Sequence, residues 1–388
     1  MSFSPEQRRA YESVLAGKNI FLTGPGGCGK SWWIQYVYTH LTRRVNVCAM
    51  TGCAALLLNC NAKTVHSWAG IGLGDIQKAV SNPYTCKRWK ATDVLIVDEV
   101  SMMSVELFEM LNSIGKIIRK SSLPFGGIQV IFCGDFHQLP PIHSDFCFES
   151  ALWDVVFQEH IVCSTIFRQK TQSFQELMNE IRSGNLSYEN NMLLRTRILE
   201  GGECVKLVPT RRAADLINAS HYEDLQGQEK VFSMKTTGVA AAIDYLLKNL
   251  LCSPKLNLKI GCKVMCIANV NETICNGSQG TVVGFSPYPR VQFANHECMM
   301  SPHTWTSDSA SVIQVPLIHA WAMTIHKAQG ATLECAEMDL GNDIFECGQI
   351  YVGLSRLTSL EGLFLTAFNS SKIKSHPKVV EFYKKISS

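Results

Sequence analysis

The sequence predicts an α/β protein with two or more domains, and three observations support this prediction. A glycine-rich loop at residues 24–31 (GPGGCGKS) lies between an apolar run at residues 19–23 and a helix that begins near Lys30. Two further apolar runs, residues 94–97 and 128–133, are typical of buried strands in a parallel sheet. With 388 residues, of which 46% are hydrophobic, the chain is long enough to form more than one core.

The glycine-rich loop fits the phosphate-binding pattern Gly-x-x-x-x-Gly-Lys-Ser, in the strand, loop and helix context that this pattern requires. Glycines allow successive backbone N–H groups to point at a triphosphate, and the following helix adds its positive N-terminus. We expect Lys30 to contact the β and γ phosphates and Ser31 to bind Mg²⁺. A chance turn is the alternative, and the flanking strand and helix disfavour it. The predicted nucleotide-binding residues of the loop are Gly24, Pro25, Gly26, Gly27, Cys28, Gly29, Lys30 and Ser31.

The first helix is predicted from Ser4 as N-cap and Pro5 at the first helical position, and it ends at Gly17. Gln7 then has two interpretations. Its amide returns to the backbone of the cap, or it reads the adenine edge of a nucleotide beside the loop. The spacing alone does not separate them.

Two carboxylates, Asp98 and Glu99, follow the apolar run at residues 94–97. In enzymes with a phosphate-binding loop, the first such carboxylate holds Mg²⁺ and the second polarises the attacking water. Gln138 follows the run at residues 128–133, where its amide can bond both the γ-phosphate and that water. These patterns predict Ser31 and Asp98 as metal ligands, and Lys30, Asp98, Glu99 and Gln138 as catalytic residues.

A short stretch at residues 64–74 combines hydroxyls, an imidazole and an indole. This mixture suits a single nucleic-acid strand, because bases stack on aromatic rings and phosphates accept bonds from hydroxyl and backbone groups. Trp68 is the predicted stacking residue. The alternative is a turn in which Trp68 fills the core.

The net charge of +3 excludes a strongly basic surface, so any nucleic-acid site must be a local groove. No apolar run reaches the roughly 18 residues of a membrane span. We therefore expect a nuclear or cytoplasmic protein without a signal peptide, transit peptide or membrane partner. The sixteen cysteines include no Cys-x-x-Cys pair. Cys262 with Cys266, and His296 with Cys298 and His303, are the tightest groups of possible metal ligands, and reduced thiols are the preferred interpretation.

A second set of strand and helix signals begins near residue 159. It includes residues 161–163, an amphipathic helix through residues 174–181, and a strand at residues 207–210. Residues 255–315 differ, because short alternating strands are separated by turns such as Asn276-Gly277. This pattern predicts a small β-barrel.

Seven motifs carry a family resemblance when taken together. They are GPGGCGKS (24–31), TVHSWAGIGLG (64–74), DEVSM (98–102), FGGIQVIFCGDFHQLPP (125–141), FRQ (167–169), AWAMTIHKAQG (320–330) and YVGLSR (351–356). In this order they resemble the PIF-type DNA helicases, superfamily-one helicases of the RecD-like branch. The similarity extends from about residue 4 to residue 368. Single motifs occur elsewhere, but the complete set is highly specific.

The resemblance implies two RecA-like lobes, each a parallel sheet flanked by helices. Residues 1–160 form the first lobe, with a short wedge insert at about residues 73–91. Residues 161–388 form the second, with a β-barrel insert at about residues 255–315. The family binds ATP and Mg²⁺ between the lobes and a single DNA strand across both. It translocates five-prime to three-prime and unwinds forked or structured DNA. A monomeric motor that acts with replication, recombination or repair proteins is therefore expected.

The resemblance also implies residue roles. Gln7 reads the adenine, and Arg168 and Arg356 extend from the second lobe to the γ-phosphate as catalytic residues. Gln329 and Gly330 match the coupling motif near the nucleotide. The residues that match the DNA path are Thr51, Gly52, Thr64, His66, Ser67, Trp68, His137, Pro140, Thr324, His326 and Lys327.

Three features depart from the family pattern. Trp68 replaces the usual phenylalanine after His-Ser, His137 replaces a frequent aromatic or hydrophobic residue, and the wedge insert is short. They leave the ATPase interpretation intact and affect strand separation and base preference. Two alternatives remain. A helicase-derived ATPase would grip DNA with little unwinding, and a nucleotide kinase or GTPase would leave Arg356 and the His-Ser-Trp stretch without a role.

Overall fold

The computed structural model describes residues 3–72, 75–199, 204–268, 270–271, 274, 276–293, 296–307 and 309–387. The chain divides into two compact units. The first comprises Met1–Arg168, Arg182–Gly184 and Lys374–Ser388, and the second comprises Gln169–Ile181 and Asn185–Ile373. Each unit has its own parallel sheet.

The helices of the described chain are α1 (Pro5–Leu15), α2 (Lys30–His40), α3 (Gly52–Leu57), α4 (Val65–Ala69), α5 (Ile76–Ser81), α6 (Pro83–Ala91), α7 (Val105–Arg119), α8 (Trp153–Val156), α9 (Gln172–Ser183), α10 (Tyr188–Arg195), α11 (Arg211–Asp224), α12 (Ala240–Asn249), α13 (Gln349–Leu354) and α14 (Pro377–Ser387). Short 3₁₀ turns lie at Val100–Met102, Pro124–Gly127, Cys147–Glu149 and Ser370–Lys372.

The strands are β1 (Ile20–Thr23), β2 (Val45–Ala49), β3 (Lys63–Thr64), β4 (Val94–Asp98), β5 (Gln129–Gly134), β6 (Glu159–Val162), β7 (Val205–Val208), β8 (Glu229–Ser233), β9 (Lys235–Gly238), β10 (Lys255–Lys259), β11 (Lys263–Cys266), β12 (Gln279–Phe285), β13 (Pro289–Phe293), β14 (Glu297–Met299), β15 (His303–Ser307), β16 (Ala310–Gln314), β17 (Leu317–His319), β18 (Ala322–Thr324), β19 (Ala336–Leu340) and β20 (Leu363–Phe368).

The sheet of the first unit is entirely parallel, in the order β3-β2-β4-β5-β1-β6. Every residue of β1, β4 and β5 is buried. Successive residues face opposite cores: Ile20 and Leu22 pack in one apolar cluster, and Phe21 packs in the other. A parallel sheet covered on both faces needs apolar residues at consecutive positions, which explains the continuous apolar runs in the sequence.

The last helix of the chain completes the core of the first unit. Phe382 of α14 lies 6.0 Å from Phe21 and 5.4 Å from Phe136 between ring centroids. Val379 and Tyr383 belong to the same apolar cluster. The C-terminal end of the chain therefore packs on strands formed by its N-terminal third.

The predicted lobe boundary at residue 160 differs from the structure. Strand β6 pairs in parallel with β1, with Glu159 opposite Ile20, so the first unit continues to Arg168. The prediction also placed α14 in the second lobe (residues 161–388), whereas in the structure this helix belongs to the first unit. The apolar run at residues 161–163 predicted a strand but carried no information about its partner, because periodicity does not encode pairing.

The second unit combines a parallel sheet, β18-β7-β19-β20, with antiparallel sheets. The antiparallel sheets have the orders β10-β8, β14-β13-β12-β11-β17 and β15-β16-β9. Strands β8, β9 and β17 lie outside residues 255–315. The antiparallel sheets therefore include strands that precede and follow the predicted insert. A closed barrel within those bounds stays a prediction.

The predicted wedge insert contains α5 and α6, and its residues Leu73 and Gly74 lie outside the described residues. Trp89 of α6 is fully buried, with its ring centroid 4.5 Å from that of Trp68. Arg88 donates hydrogen bonds to the backbone oxygens of Trp68 and Ser67 at 2.7 and 3.2 Å. Helix α6 is thereby attached to the stretch that the sequence assigned to DNA.

None of the described helices is both long and apolar enough to span a bilayer. Within the described part of the chain, no three His, Cys, Asp or Glu side chains gather as a metal site. Cys262 and Cys266 are buried free thiols.

Candidate nucleotide and nucleic-acid site

The candidate site begins where three adjacent strands of the first sheet end. Strand β1 ends at Thr23, directly before the glycine-rich loop, β4 ends at Asp98, and β5 ends at Gly134. Because the strands are parallel and neighbours in the order β4-β5-β1, their carboxyl ends lie at one edge of the sheet. Ligands of open α/β sheets bind at this edge.

The backbone of the loop requires glycine at two positions. Gly24 has φ +148°, and a Cβ there would lie 2.6 Å from the backbone oxygen of Cys163. Gly29 has φ +81°, and its Cβ would lie 3.0 Å from Nε2 of Gln7. A side chain at either position would displace backbone or neighbouring atoms, so the loop is a cradle lined by main chain.

Lys30 lies over this cradle. Its Nζ donates hydrogen bonds to the backbone oxygens of Gly24 at 2.7 Å and Pro25 at 3.1 Å, and lies 3.4 Å from Sγ of Cys28. Burial would lower the pKa of Lys30, but the negative groups around it, Cys28 first, raise it above its usual value. The ammonium therefore stays charged, as a polyphosphate partner must.

Cys28 and Cys163 form a thiol pair beside Lys30. The Cys163 thiol donates to Cys28 and, with the nearby ammonium, holds the pKa of Cys28 below its usual range despite burial. The same contact and burial raise the pKa of Cys163.

The Asp98 and Glu99 pair fits a divalent cation. Asp98 is 5% exposed, and its Oδ1 accepts a hydrogen bond from the Glu99 backbone at 2.9 Å. Burial and the Glu99 carboxylate raise the pKa of Asp98 to about 7. Glu99 itself adopts φ +56°, a left-handed conformation that is uncommon outside glycine and clusters at functional sites. A buried carboxylate that is poorly compensated gains most from a bound cation.

Gln7 adopts the capping interpretation. The Ser4 side chain accepts from the Gln7 backbone, and Oε1 of Gln7 accepts from the Ser4 backbone, which completes a capping box. Nε2 of Gln7 donates to the backbone oxygen of Cys28 at 3.0 Å. Capping is therefore confirmed, and the same amide contacts the loop. The adenine role stays a prediction.

The turn after β5 orients Gln138. Its backbone N–H donates to the backbone oxygen of Asp135 at 2.9 Å, and the residue is 5% exposed. Asp135 is fully buried and receives a bidentate bond from Arg182, with the shortest N–O distance at 2.8 Å. Burial alone would raise the pKa of Asp135, but Arg182 holds it well below its usual range. Both charges of this buried pair are thereby compensated.

His137, which the sequence assigned to the DNA path, is buried. The ring is 8% exposed, stacks on Tyr383 with centroids 4.7 Å apart, and bonds Oγ of Ser375 at 2.7 Å through Nδ1. Burial and the Arg182 guanidinium lower the pKa of His137 to about 4, so the ring is neutral at pH 7. A buried neutral imidazole offers a phosphate neither charge nor access.

Trp68 is also buried, which matches the alternative in which it fills the core. It is 1% exposed and packs in the first unit's core against Trp89. Its Nε1 finds no hydrogen-bond partner among the described residues. The sequence could not decide this, because a tryptophan between polar residues is compatible with either face of a short helix.

The other predicted DNA residues of the first unit lie at helix starts and turns. Thr51 caps α3 and Thr64 caps α4 through their Oγ1 atoms, at 3.2 and 3.3 Å from the capped N–H groups. Gly52 is buried as the first residue of α3. His66, Ser67 and Pro140 are partly exposed.

The two predicted arginines belong to different units. Arg168 is partly exposed at the end of the first unit's long segment, not in the second lobe as predicted. The preceding residue, Phe167, donates its backbone N–H to Gly27 at 2.9 Å. Arg356 is 3% exposed in the second unit, where it donates to the Val352 oxygen at 3.0 Å and to Oγ of Ser355 at 2.8 Å.

The coupling and DNA residues of the second unit share one turn after β18. Thr324 ends the strand and accepts from the Lys327 backbone at 3.2 Å through Oγ1. The backbone N–H of Gln329 donates to His326 at 3.2 Å, and Gly330 has φ +84°. The turn holds His326 exposed and Lys327 and Gln329 partly exposed.

Sequence reasoning missed an exposed aromatic residue at this turn. Phe345 is 65% exposed, and its ring is stacked with His326 at 6.4 Å between centroids and 16° between planes. Oε1 of the buried Gln349 accepts from the Phe345 backbone at 3.2 Å. The ring therefore reaches solvent from an anchored backbone. Phe345 lies outside the seven sequence motifs, and its exposure is a tertiary property.

Comparison with known proteins supports the motif assignment. A sequence model of the PIF1-like helicase family matches residues 2–192, and a model of the 2B domain of the DNA helicase Pif1 matches residues 244–285. The crystal structure of Pif1 helicase from Candida albicans matches over 100% of both chains, with 36% identity and a TM-score of 0.79. The chain belongs to the PIF1-like helicase family. The family predicted from the seven motifs and the α/β class are both confirmed.

Two further PIF1-like relatives place the chain in its family. The ATP-dependent DNA helicase PIF1 of Emericella nidulans is 34% identical over 98% of this chain and 62% of its own length. A Bacteroides Pif1 helicase in complex with ADP-AlF3 and ssDNA is 25% identical, with a TM-score of 0.71 over 100% of this chain and 98% of that chain. The chain spans less than two thirds of the length of the curated PIF1 relatives it matches first, at 62%, 56% and 64%.

Proposed function

We propose that this PIF1-like chain is an ATP-dependent DNA helicase that translocates five-prime to three-prime on a single strand and separates forked or structured DNA. One observation carries the proposal. Lys30, the Asp98–Glu99 pair and the turn of Gln138 follow three neighbouring parallel strands around a main-chain cradle. This arrangement suits hydrolysis of a nucleoside triphosphate.

The residues present fit ATP and Mg²⁺. The cradle from Gly24 to Ser31 would hold the phosphates through backbone N–H groups, the N-terminus of α2 and Lys30. Ser31 and Asp98 would hold Mg²⁺, which supplies Lewis-acid polarisation of the phosphoryl oxygens when bound. The raised pKa of Asp98 supports this assignment, since a cation would favour its charged form.

The chain's own groups then act on water and on developing charge. Glu99 takes the proton of the attacking water on its carboxylate, and the Gln138 amide orients that water. Arg168 and Arg356 stabilise the charge that develops on the transferred group. Gln7 reads the adenine with an amide that the capping box already holds in place.

We propose contacts with single-stranded DNA in each unit. In the first unit the proposed contacts are Thr51, Gly52, Thr64, His66, Ser67 and Pro140. In the second they are Thr324, His326, Lys327 and the exposed ring of Phe345, which replaces Trp68 as the stacking residue. Gln329 and Gly330 lie in the same turn as His326, which suits a role in coupling the nucleotide to the strand.

One experiment separates the proposal from its alternatives. ATP hydrolysis is measured with and without single-stranded DNA, beside displacement of a labelled strand from forks with a five-prime or a three-prime tail. We expect stimulated hydrolysis and displacement from the five-prime tail. Stimulation without displacement would indicate a DNA-binding ATPase. Hydrolysis or phosphate transfer that ignores DNA would indicate a nucleotide kinase or GTPase.

We further propose a monomeric motor of the nucleus or cytoplasm that acts with replication, repair, recombination or telomere-maintenance proteins. The motif set and the family membership support the role in DNA maintenance. The mass of the chain in solution, measured by light scattering with and without a forked DNA, tests the oligomeric state. A stable dimer in both conditions would contradict it.

A further inference from the structure

The hydroxyl of Tyr383, in the C-terminal helix α14, lies between the ends of two strands of the candidate site. Its oxygen is 2.5 Å from Oγ1 of Thr23, the last residue before the phosphate loop. It donates to Oδ1 of Asp135 at 3.2 Å and accepts from the backbone N–H of Phe136 at 3.2 Å. One hydroxyl therefore links the end of β1 to the start of the turn that carries Gln138.

Asp135 transmits this link through the turn. Its side chain accepts from the His137 backbone at 3.2 Å, and its backbone oxygen accepts from Gln138 at 2.9 Å. Arg182 holds the carboxylate from the other side with a bidentate bond. A shift of the carboxylate would therefore move the backbone that sets the direction of the Gln138 amide.

The ring of Tyr383 is held without its hydroxyl. The Arg182 guanidinium carbon lies 4.8 Å from the ring centroid, and the His137 ring stacks on the Tyr383 ring with centroids 4.7 Å apart and 18° between planes. Neighbouring Phe382 and Val379 pack in the core. Removal of the hydroxyl alone should leave α14 in place, because aromatic and cation–π contacts remain.

We propose that Tyr383 is a positioning residue for ATP hydrolysis, whose hydroxyl keeps the phosphate loop and the Gln138 turn in register with each other. The inference rests on the proposed function and adds a residue that no motif in the sequence contains. Tyr383 acts through Thr23 and Asp135 rather than on the nucleotide. Catalytic groups must be held within about 0.5 Å of their productive positions, and a displacement of about 1 Å can lower turnover about a hundred-fold.

The test is Tyr383→Phe in the full chain. We expect kcat for ATP per folded molecule, with saturating single-stranded DNA, to fall about ten-fold to a hundred-fold with KM for ATP nearly unchanged. The melting temperature should fall modestly, because the buried backbone N–H of Phe136 loses its acceptor. Tyr222→Phe is the matched control. It removes a hydroxyl that donates to Glu229 at 2.9 Å in the second unit, and kcat should stay at the wild-type value.

Two results overturn the inference. Wild-type kcat in Tyr383→Phe excludes a positioning role. A fall in kcat that only follows a lower melting temperature and a smaller folded fraction assigns the residue to stability alone. If the wild-type chain itself lacks DNA-stimulated hydrolysis, the proposed function fails and this inference fails with it. Activity in the wild type with an unaffected variant removes only the inference.

A double-mutant cycle with Thr23→Val tests the link itself. Thr23→Val removes the partner hydroxyl with little change in shape. If both hydroxyls act through one contact, the double variant should lose no more kcat than the more impaired single variant. If the fold-losses of kcat in the two single variants multiply in the double variant, the two hydroxyls act independently, which would contradict the shared contact.

Discussion

The indole of Trp68 lies in the space between the first sheet and α6, where it is 1% exposed and touches Trp89. Its neighbours His66 and Ser67 remain partly exposed. One short helix therefore presents polar groups outward and an aromatic ring inward. The effect of Trp68 on function should pass through folding stability rather than through contact with a base.

Trp68→Ala should lower the free energy of unfolding by about 3 to 5 kcal/mol, because it leaves a large cavity in the core. Affinity for single-stranded DNA per folded molecule should not change. Chemical denaturation and a binding titration on the same preparation measure the two quantities. Trp68→Phe is the control and should cost less, since Nε1 has no partner to lose among the described residues. A ten-fold loss of affinity at unchanged stability would contradict the burial.

Phe345 is the aromatic residue from which we expect stacking. Phe345→Ala should lower single-strand affinity about ten-fold to a hundred-fold, because stacking on an aromatic ring contributes about 1 to 3 kcal/mol per base. At 65% exposure the side chain adds little to folding, so the melting temperature should hold. Tyr188→Ala is the matched control: Tyr188 is 74% exposed in the same unit and lies on α10, not in the turn of His326. Equal effects of the two changes would indicate a general loss of surface contacts.

At the scale of secondary-structure elements, the end of α9 is tied to the end of β5 by Arg182 and Asp135. The carboxylate is fully buried, and the arginine side chain is 16% exposed. A buried ion pair adds little stability compared with apolar groups of the same shape, but loss of one partner leaves an uncompensated charge. The pair therefore makes the position of β5 sensitive to a single residue on α9.

Arg182→Ala should destabilise the fold by about 3 to 5 kcal/mol at pH 7. The folded-state pKa of Asp135 lies below its usual value, so the wild-type contribution is present above about pH 3.9 and is lost as the pH falls further. Without Arg182, burial raises the pKa of Asp135. Protonation at lower pH then removes the uncompensated buried charge, which reduces the destabilisation of the variant. The difference in unfolding free energy should accordingly shrink as the pH falls toward 4.

Denaturant unfolding of both proteins between pH 4 and pH 8 measures this difference. Arg211→Ala is the control, because its partner Asp215 lies one helical turn away and both side chains are well exposed, at 78% and 65%. Such a surface pair should contribute less than about 1 kcal/mol. A deficit in Arg182→Ala that stays constant across the pH range would mean that the charge of Asp135 is not its origin.

At the scale of the whole molecule, the proposed motor needs two functions of the first unit, namely binding of ATP and activation of the attacking water. Lys30 faces the cradle, and Glu99 follows the strand that ends at Asp98, the proposed metal ligand. Loss of the Lys30 side chain should weaken binding of the phosphates, whereas loss of the Glu99 carboxylate should impair only the activation of the attacking water. Translocation and unwinding require both.

Lys30→Ala should therefore bind ATP weakly and show almost no turnover. Glu99→Gln should bind ATP but hydrolyse it about 10² to 10⁴ times more slowly, which is the usual effect of losing a general base. Nucleotide titration, steady-state hydrolysis and fork unwinding on both variants separate the two defects, and melting curves check that each is folded. Turnover near the wild-type rate in Lys30→Ala would contradict the assignment of the loop.

The sequence alone determined those features whose physical cause is local. A glycine loop between a strand and a helix, two carboxylates at a strand end and a serine cap are read from neighbouring residues, because backbone freedom, strand burial and capping act within a few positions. The buried strands β1, β4 and β5, the main-chain cradle, the serine cap of α1 and the family were all predictable from such patterns.

Tertiary structure alone decided which distant residues meet. The hydroxyls of Thr23 and Tyr383 are 360 positions apart in the chain and 2.5 Å apart in space, and nothing in either local pattern requires the other. The pairing of β6 with β1, the burial of Trp68 and the exposure of Phe345 have the same origin. Each depends on which surface covers a side chain. That is a property of packing between elements, whereas periodicity records only that an element has an apolar face.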